Sequence, residues 1–523
     1  MRIAHIISTL ALFLPLATNV FASIPSSDEP GWGLFFSYSQ EVGDLEVADN
    51  GDVIICGEFG MGPLIHEGFV NAVDFDPGPG ITEIIPDGEK TNAYITRFNS
   101  HGEFLWVRSW DADEASAIAL DNEGYIYVTG IYRGDVDLDP GPGEEYRVGG
   151  DTIPDIYLSK FSPDGNLLWA RNWGGDSYYE DIWGIIRSNR VAGVEIDSSG
   201  NVYVAGQFCG TADFNPLAAH STQTAISHRD NFLLKCSPDG DFQWVRTWPG
   251  DQNWSSTMDE MTISSDDNIF IVGDFTGIVD FDPGPGTYIK DNPAVQGHYD
   301  EMAYVSKFNV DGEFIWARVF GPSEILGSFG LATDHSESVY ISGQLNGKCD
   351  FDPGPGTEIL ESEILYVPSD PNLSPTWSED PYILKLDGEG NFEWAITWGE
   401  DDGNRGDLVS SLAIGNQHAL YGGGFFTLPD QFQNNVNAGW FCMAIGLDCD
   451  GNTHWVNSWE TGDHNYGEVF TDNSGWVYVV GNSTMDKCPN FSQEDQTYIT
   501  GNSSYPCSSY LLKLHPDGTF AGP

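Results

Sequence analysis

Apolar and polar positions alternate along most of the chain in short runs, rich in β-branched and aromatic residues, and the runs return in a fixed order. Alternation with period two predicts half-buried strands. In the clearest unit the strands are predicted at Ala117–Asp121, Tyr125–Tyr132, Asp155–Ser162 and Leu167–Trp173. The connectors DNEG and SPDGN are tight-turn sequences, in which Asp opens the turn and Gly takes a positive φ. Only the region of Arg187 reads as a helical turn, so the chain is predicted to be all-β.

The last two strands of the unit recur as AYITRFNSHGEFLWVRSW (Ala93–Trp110), IYLSKFSPDGNLLWARNW (Ile156–Trp173) and NFLLKCSPDGDFQWVRTW (Asn231–Trp248). They continue as AYVSKFNVDGEFIWARVF (Ala303–Phe320) and PYILKLDGEGNFEWAITW (Pro381–Trp398), with a worn copy at Trp440–Trp459. Five intervals over 349 residues give a period of about 70. Four-stranded units of this kind cannot bury both faces alone, and radial packing as propeller blades solves that.

First strands are expected near Leu45, Ala117, Val191, Met261, Leu331, Leu412 and Glu468, which makes seven blades. Their approximate spans are 44–110, 111–173, 174–248, 249–320, 321–398, 399–459 and 460–523. The final unit, SYLLKLHPDGTFAGP, has a third strand and its turn but no fourth strand. The stretch GWGLFFSYS (Gly31–Ser39) has a strand but no unit. Residues 34–39 are therefore predicted to complete the seventh blade, closing a single propeller domain over 23–523.

DIYLSKFSPDGNLLWARNWGG and NVYVAGQF resemble the bacterial SBBP-type β-propeller repeat family, over nearly the whole chain after residue 22. The resemblance implies a propeller in an exported or cell-surface bacterial protein and brings no catalytic residues with it. The sixth unit, LYGGGFFTLPD, departs from the pattern because it lacks the DPGPG string. The turn SPDGNLLW is close to the Asp-box of sialidase-type propellers, although Gly165 directly follows Asp164 here. It is read as a fold marker, remote from any reacting face.

Composition narrows the partners. A lone Arg2, an apolar run from Ile6 to Leu16 and small residues near Ala22 predict a secretory signal peptide over 1–22. No later apolar run is long enough to span a bilayer as a helix, so no membrane insertion is expected, and the chain is read as a monomer. With 79 Asp plus Glu against 21 Lys plus Arg, the net charge is −58, which repels nucleic acid and anionic membranes. The eight cysteines contain no CxxC, which argues against zinc, and Cys488 and Cys507 flank one loop as a candidate disulfide.

Candidate chemistry starts with VDFDPGPG (Val279–Gly286), repeated nearly unchanged at Val73–Gly80, Val136–Gly143 and Cys349–Gly356. Its paired carboxylates, Asp74 and Asp76, Asp137 and Asp139, Asp280 and Asp282, and Asp350 and Asp352, are candidate calcium ligands. Calcium takes six to eight oxygens, so each pair is part of a site at most. The plainer reading is a rigid corner, in which Asp accepts backbone amides, Pro fixes φ and Gly permits the bend. The third unit, TADFNPLAA, keeps Asp213 but not the second acid, which favours the corner.

The bases are largely absorbed by the repeat. Arg97, Lys160, Lys235, Lys307, Lys385 and Lys513 share one third-strand position, and Arg108, Arg171, Arg246 and Arg318 share one fourth-strand position. Arg133, Arg147, Arg187, Arg190, Arg229 and Arg405 remain, in no recurring arrangement. No nucleophile or metal-hydrolase motif occurs and the His are scattered, so no catalytic residue is assigned. Trp106, Trp169, Trp244, Trp316, Trp394 and Trp455 recur at one fourth-strand position, as inter-blade packing requires.

Non-repeating aromatics in the long connectors, Tyr178, Tyr179, Trp183, Trp254 and Trp377, are the candidate ligand-binding rim. Aromatic rings beside carboxylates suit an extracellular glycan or a surface protein. The expected function is thus a secreted binding or scaffold module, with a carbohydrate-active lyase or hydrolase using rim carboxylates as the alternative. Acids in the central channel with Arg or Tyr would favour the enzyme.

Overall fold

The computed structural model describes residues 31–519, apart from 38–39, 61–71, 87–90, 151, 181–185, 188, 217–218, 250–256, 293–300, 324, 363, 367–375, 400–406, 428–439, 463–466, 483–498 and 501–506. The signal peptide expected over 1–22, Trp183, Trp254 and Cys488 lie outside the described residues.

Seven blades of four antiparallel strands form; in six of them the first strand lies at one edge and the fourth at the other, and in the seventh a two-residue strand, Ile499–Thr500, adds in parallel outside the fourth. In blade 2 the strands are Glu114–Leu120, Ile126–Tyr132, Asp155–Phe161 and Leu167–Trp173, within a few residues of the sequence expectation. Each first strand touches the first strands of the two neighbouring blades, and the seventh touches the first, so the ring is closed. The second and third strands carry the core: Ile126, Val128, Tyr157 and Leu158 are all fully buried. The Arg187 region is extended rather than helical, since Ile186–Arg187 pairs with Tyr179–Glu180. The described 3-10 turn lies instead at Asn416–His418.

Closure occurs through the N-terminal strand, shifted slightly from its expected bounds. Trp32–Ser37 runs antiparallel to Cys507–Leu514, with Trp32 opposite Lys513. That is the register of Trp169 opposite Lys160 in blade 2. Trp32 is therefore the seventh member of the repeated Trp set, which the sequence reading stopped one short of.

The Trp set joins each blade to the next. Trp169 Nε1 and Lys160 Nζ both donate to the Pro238 carbonyl of blade 3 at 3.3 Å. Arg171, whose guanidinium lies 5.1 Å from the Trp169 ring centre, donates to the carbonyls of Gly240 and Asp239. Gly240 (φ 75°) rests on the Trp169 ring, where a Cβ would stand 3.0 Å from ring atoms. At the closure Trp32 Nε1 and Lys513 Nζ donate to Ser100 O of blade 1 at 2.9 and 3.1 Å. One staple thus serves repeated junctions, and the bases in it are committed to carbonyls.

Candidate functional site

Each DPGPG string builds a corner and then a small hairpin outside the blade. In blade 4 Asp280 Oδ1 accepts the amides of Asp282 (3.2 Å) and Tyr288 (2.7 Å), and Asp282 Oδ1 accepts that of Gly284 (2.8 Å). The same three bonds recur on Asp74 and Asp76, on Asp137 and Asp139, and on Asp350 and Asp352. The residue between each pair turns inward: Phe75, Leu138, Phe281 and Phe351 are buried. The glycine at the last position leaves room for the acid, because a Cβ on Gly286 would run into Asp282 Oδ2 and force the carboxylate to move.

Gly277–Asp280 then pairs with Ile289–Asn292, one of several hairpins that the sequence reading left as loop. Even blade 3 keeps the corner, with Asp213 Oδ1 accepting the amides of Asn215 and Ser221 at 3.0 and 2.9 Å. Among the described residues no three acidic, His or Cys side chains gather closely enough to hold a metal ion.

The rim aromatics meet different fates. Tyr178 is 44% exposed. Its connector is pinned to the blade 3 hairpin by a Gly175–Ala212 bridge and by the Thr211 amide donating to Asp176 Oδ1 at 2.8 Å. Tyr179 sits in the two-residue strand that pairs with Ile186–Arg187. Trp377 is buried, 8% exposed, with Lys348 Nζ 5.8 Å from its ring centre, so it offers no open face of the kind expected of it. Cys507 lies in the third strand of blade 7, but its proposed partner is not described, so the pairing has no structural account.

The central channel holds what the sequence reading missed. A cavity of about 650 Å³ is lined by the seven first strands and contains Asp44, Glu46, Glu195, Glu260 and Glu468. Asp44, Glu260 and Glu468 share one register, each opposite the fourth residue of its blade's second strand. The other blades place Ala117, Gly193, Gly330 and Ser411 there. Carboxylates at a position otherwise filled by small residues were the available signal.

These side chains are partly exposed, but only to the narrow channel. Loss of hydration is the main cause that raises their pKa values, with mutual repulsion added. Asp44 is pushed up to about 7, and Glu195 and Glu468 to about 8. Glu46 and Glu260 are raised well above the ordinary range. Asp44 also accepts the amides of Leu45 and, from blade 2, Ile118.

The remaining bases do not converge there. Arg190, at one mouth, pairs with Asp259 at 3.2 Å, while Arg133 pairs with Asp113 and Arg147 with Glu145 at separate places. No sialidase-like arginine cluster forms among the described residues.

By class, the molecule is a seven-bladed β-propeller with an acidic channel. No family model matches the chain. Among curated proteins it is similar to an uncharacterized WD repeat-containing protein, L264, of Acanthamoeba polyphaga mimivirus, at 22% identity over 262 residues. The match spans 45% of this chain and 17% of that protein, well under two thirds of the relative's length. Of solved structures, the Dos1 propeller is 9% identical with a TM-score of 0.40, covering 93% of this chain and 94% of its own. An apocarotenoid oxygenase of Synechocystis is 9% identical with a TM-score of 0.35, covering 94% of each chain. The fold assignment rests on the strand pairing itself.

Proposed function

We propose that the protein is an exported binding module of the SBBP propeller type. It works outside the cell or at its surface and engages an extracellular glycan or a surface protein through the long-loop rim. The observation that carries this reading is the exposure of Tyr178, two residues along the chain from Asp176, on a connector pinned to the blade 3 hairpin. An exposed aromatic ring on an anchored connector suits stacking on a polar ligand. The charge of −58 argues against nucleic acid as the partner. A glycan array probed with the purified protein tests the reading. A hit that Tyr178→Ala weakens supports it, and binding indifferent to Tyr178 sinks this assignment of the surface.

Calcium is the cation the Asp pairs would take, with Pro-Gly carbonyls supplying further oxygens. Thermal unfolding in chelator and then in millimolar calcium is the test. A calcium-specific rise over magnesium assigns the pairs as ligands, and an unchanged midpoint leaves them as corners.

The second reading, a carbohydrate-active enzyme, draws on the channel. Asp44, at about 7, is poised to hold or release a proton near neutrality, as a general acid must be.

A further inference from the structure

The hairpins that follow the second strands expose apolar side chains that the fold does not need there. Tyr146 is 62% exposed, Val148 79%, Ile289 56% and Ile359 58%, while Val136 and Val279 on the inward faces are buried. Single exposed apolar residues are ordinary, but residues at matching places on several blades form a patterned surface.

Each of them stands directly across the hairpin from a carboxylate. Tyr146 faces Asp137 and Val148 faces Asp135. Ile289 faces Asp280, Ile278 faces Asp291, and Ile359 faces Asp350. Opposed residues on a ladder lie about 5 Å apart, so acid and apolar group form one contact unit.

We propose that these outward hairpin faces of blades 2, 4 and 5 dock a basic protein segment in which Lys or Arg alternates with apolar residues. Alternation along the partner would match the apolar and acidic partners across each hairpin. Charge complementarity selects this occupant. A second copy of the chain, itself at −58, is repelled by the same surface. The proposal rests on the binding-module reading and names a partner for its long-loop side.

The probe is a labelled twelve-residue peptide alternating Lys and Val, followed by fluorescence anisotropy with the purified protein. Controls alternate Lys with Ser and Glu with Val. The expected result is binding by the Lys-Val peptide alone, weakening with salt. It should fall about tenfold or more in the combined Tyr146→Ser, Ile289→Ser and Ile359→Ser variant. These exposed sites leave the core untouched, and an unchanged thermal midpoint verifies that.

Equal binding by the Lys-Ser peptide, no binding, or a variant that binds as the parent does would overturn the proposal. A glycan hit lost on Tyr178→Ala alongside that outcome removes only the docking surface. The binding-module reading then stands.

Discussion

At the scale of single residues, the corner chemistry explains why VDFDPGPG recurs without invoking a reaction. One carboxylate of each pair organises two amides, the second organises one more, and Gly286 leaves room for the Asp282 carboxylate. Gly286→Ala should therefore open the corner, at a cost of roughly 1–3 kcal/mol. Hydrogen exchange at Asp282, Gly284 and Tyr288 reads this directly, and unchanged protection there would refute the role given to the glycine. Asp280→Ala, which strips two amides of their acceptor, should cost about as much in a denaturant melt.

At the scale of strands and blades, the decisive contact is the N-terminal strand in blade 7. Trp32→Ala should destabilise the ring by about 3–5 kcal/mol, the ordinary cost of truncating a packed Trp. Trp455→Ala in blade 6 is the matched control, and a clearly smaller loss at Trp32 would mean that the closure is loosely held. Blade count, strand order and closure were legible in the sequence because one packing problem is solved again and again with the same residues. The Trp set was read one member short because Trp32 lies about 480 residues from the strand it pairs with.

The hairpins escaped notice for a different reason. Strands of three or four residues, such as Asp135–Asp137 and Ile289–Asn292, are too short for alternation to declare itself. The channel acids were hidden by composition, since one carboxylate among 79 acidic residues carries no signal until the first strands are aligned. Trp377 misled because an aromatic in a long loop reads as exposed, whereas its ring is packed beneath Lys348.

At the scale of the whole molecule, the channel couples stability to pH. Unfolded carboxylates lose their protons near pH 4, whereas Asp44 holds its proton to about 7 and Glu195 and Glu468 to about 8. Within that window the folded state binds more protons than the unfolded state, so this contribution to stability falls as pH rises from about 4 to 8. Above it the contributions of Asp44, Glu195 and Glu468 are fully lost, and Glu46 and Glu260, also raised by burial, act in the same direction. The thermal midpoint should decline from pH 5 to pH 8, and Glu468→Gln should flatten the decline and raise the midpoint at pH 8. A variant as pH-sensitive as the parent would show that the channel acids do not set the slope.

We propose that this propeller works by binding at its rim, with bond breaking in the acidic channel as the competing reading. One experiment separates the two: incubation with a panel of polysaccharides, measuring retention on each and release of new chain ends, for the parent, Tyr178→Ala, and combined Glu260→Gln and Glu468→Gln. The account predicts retention without release, lost in Tyr178→Ala and kept in the channel variant. Release of chain ends by the parent, abolished in the channel variant, would contradict it and make the channel an active site.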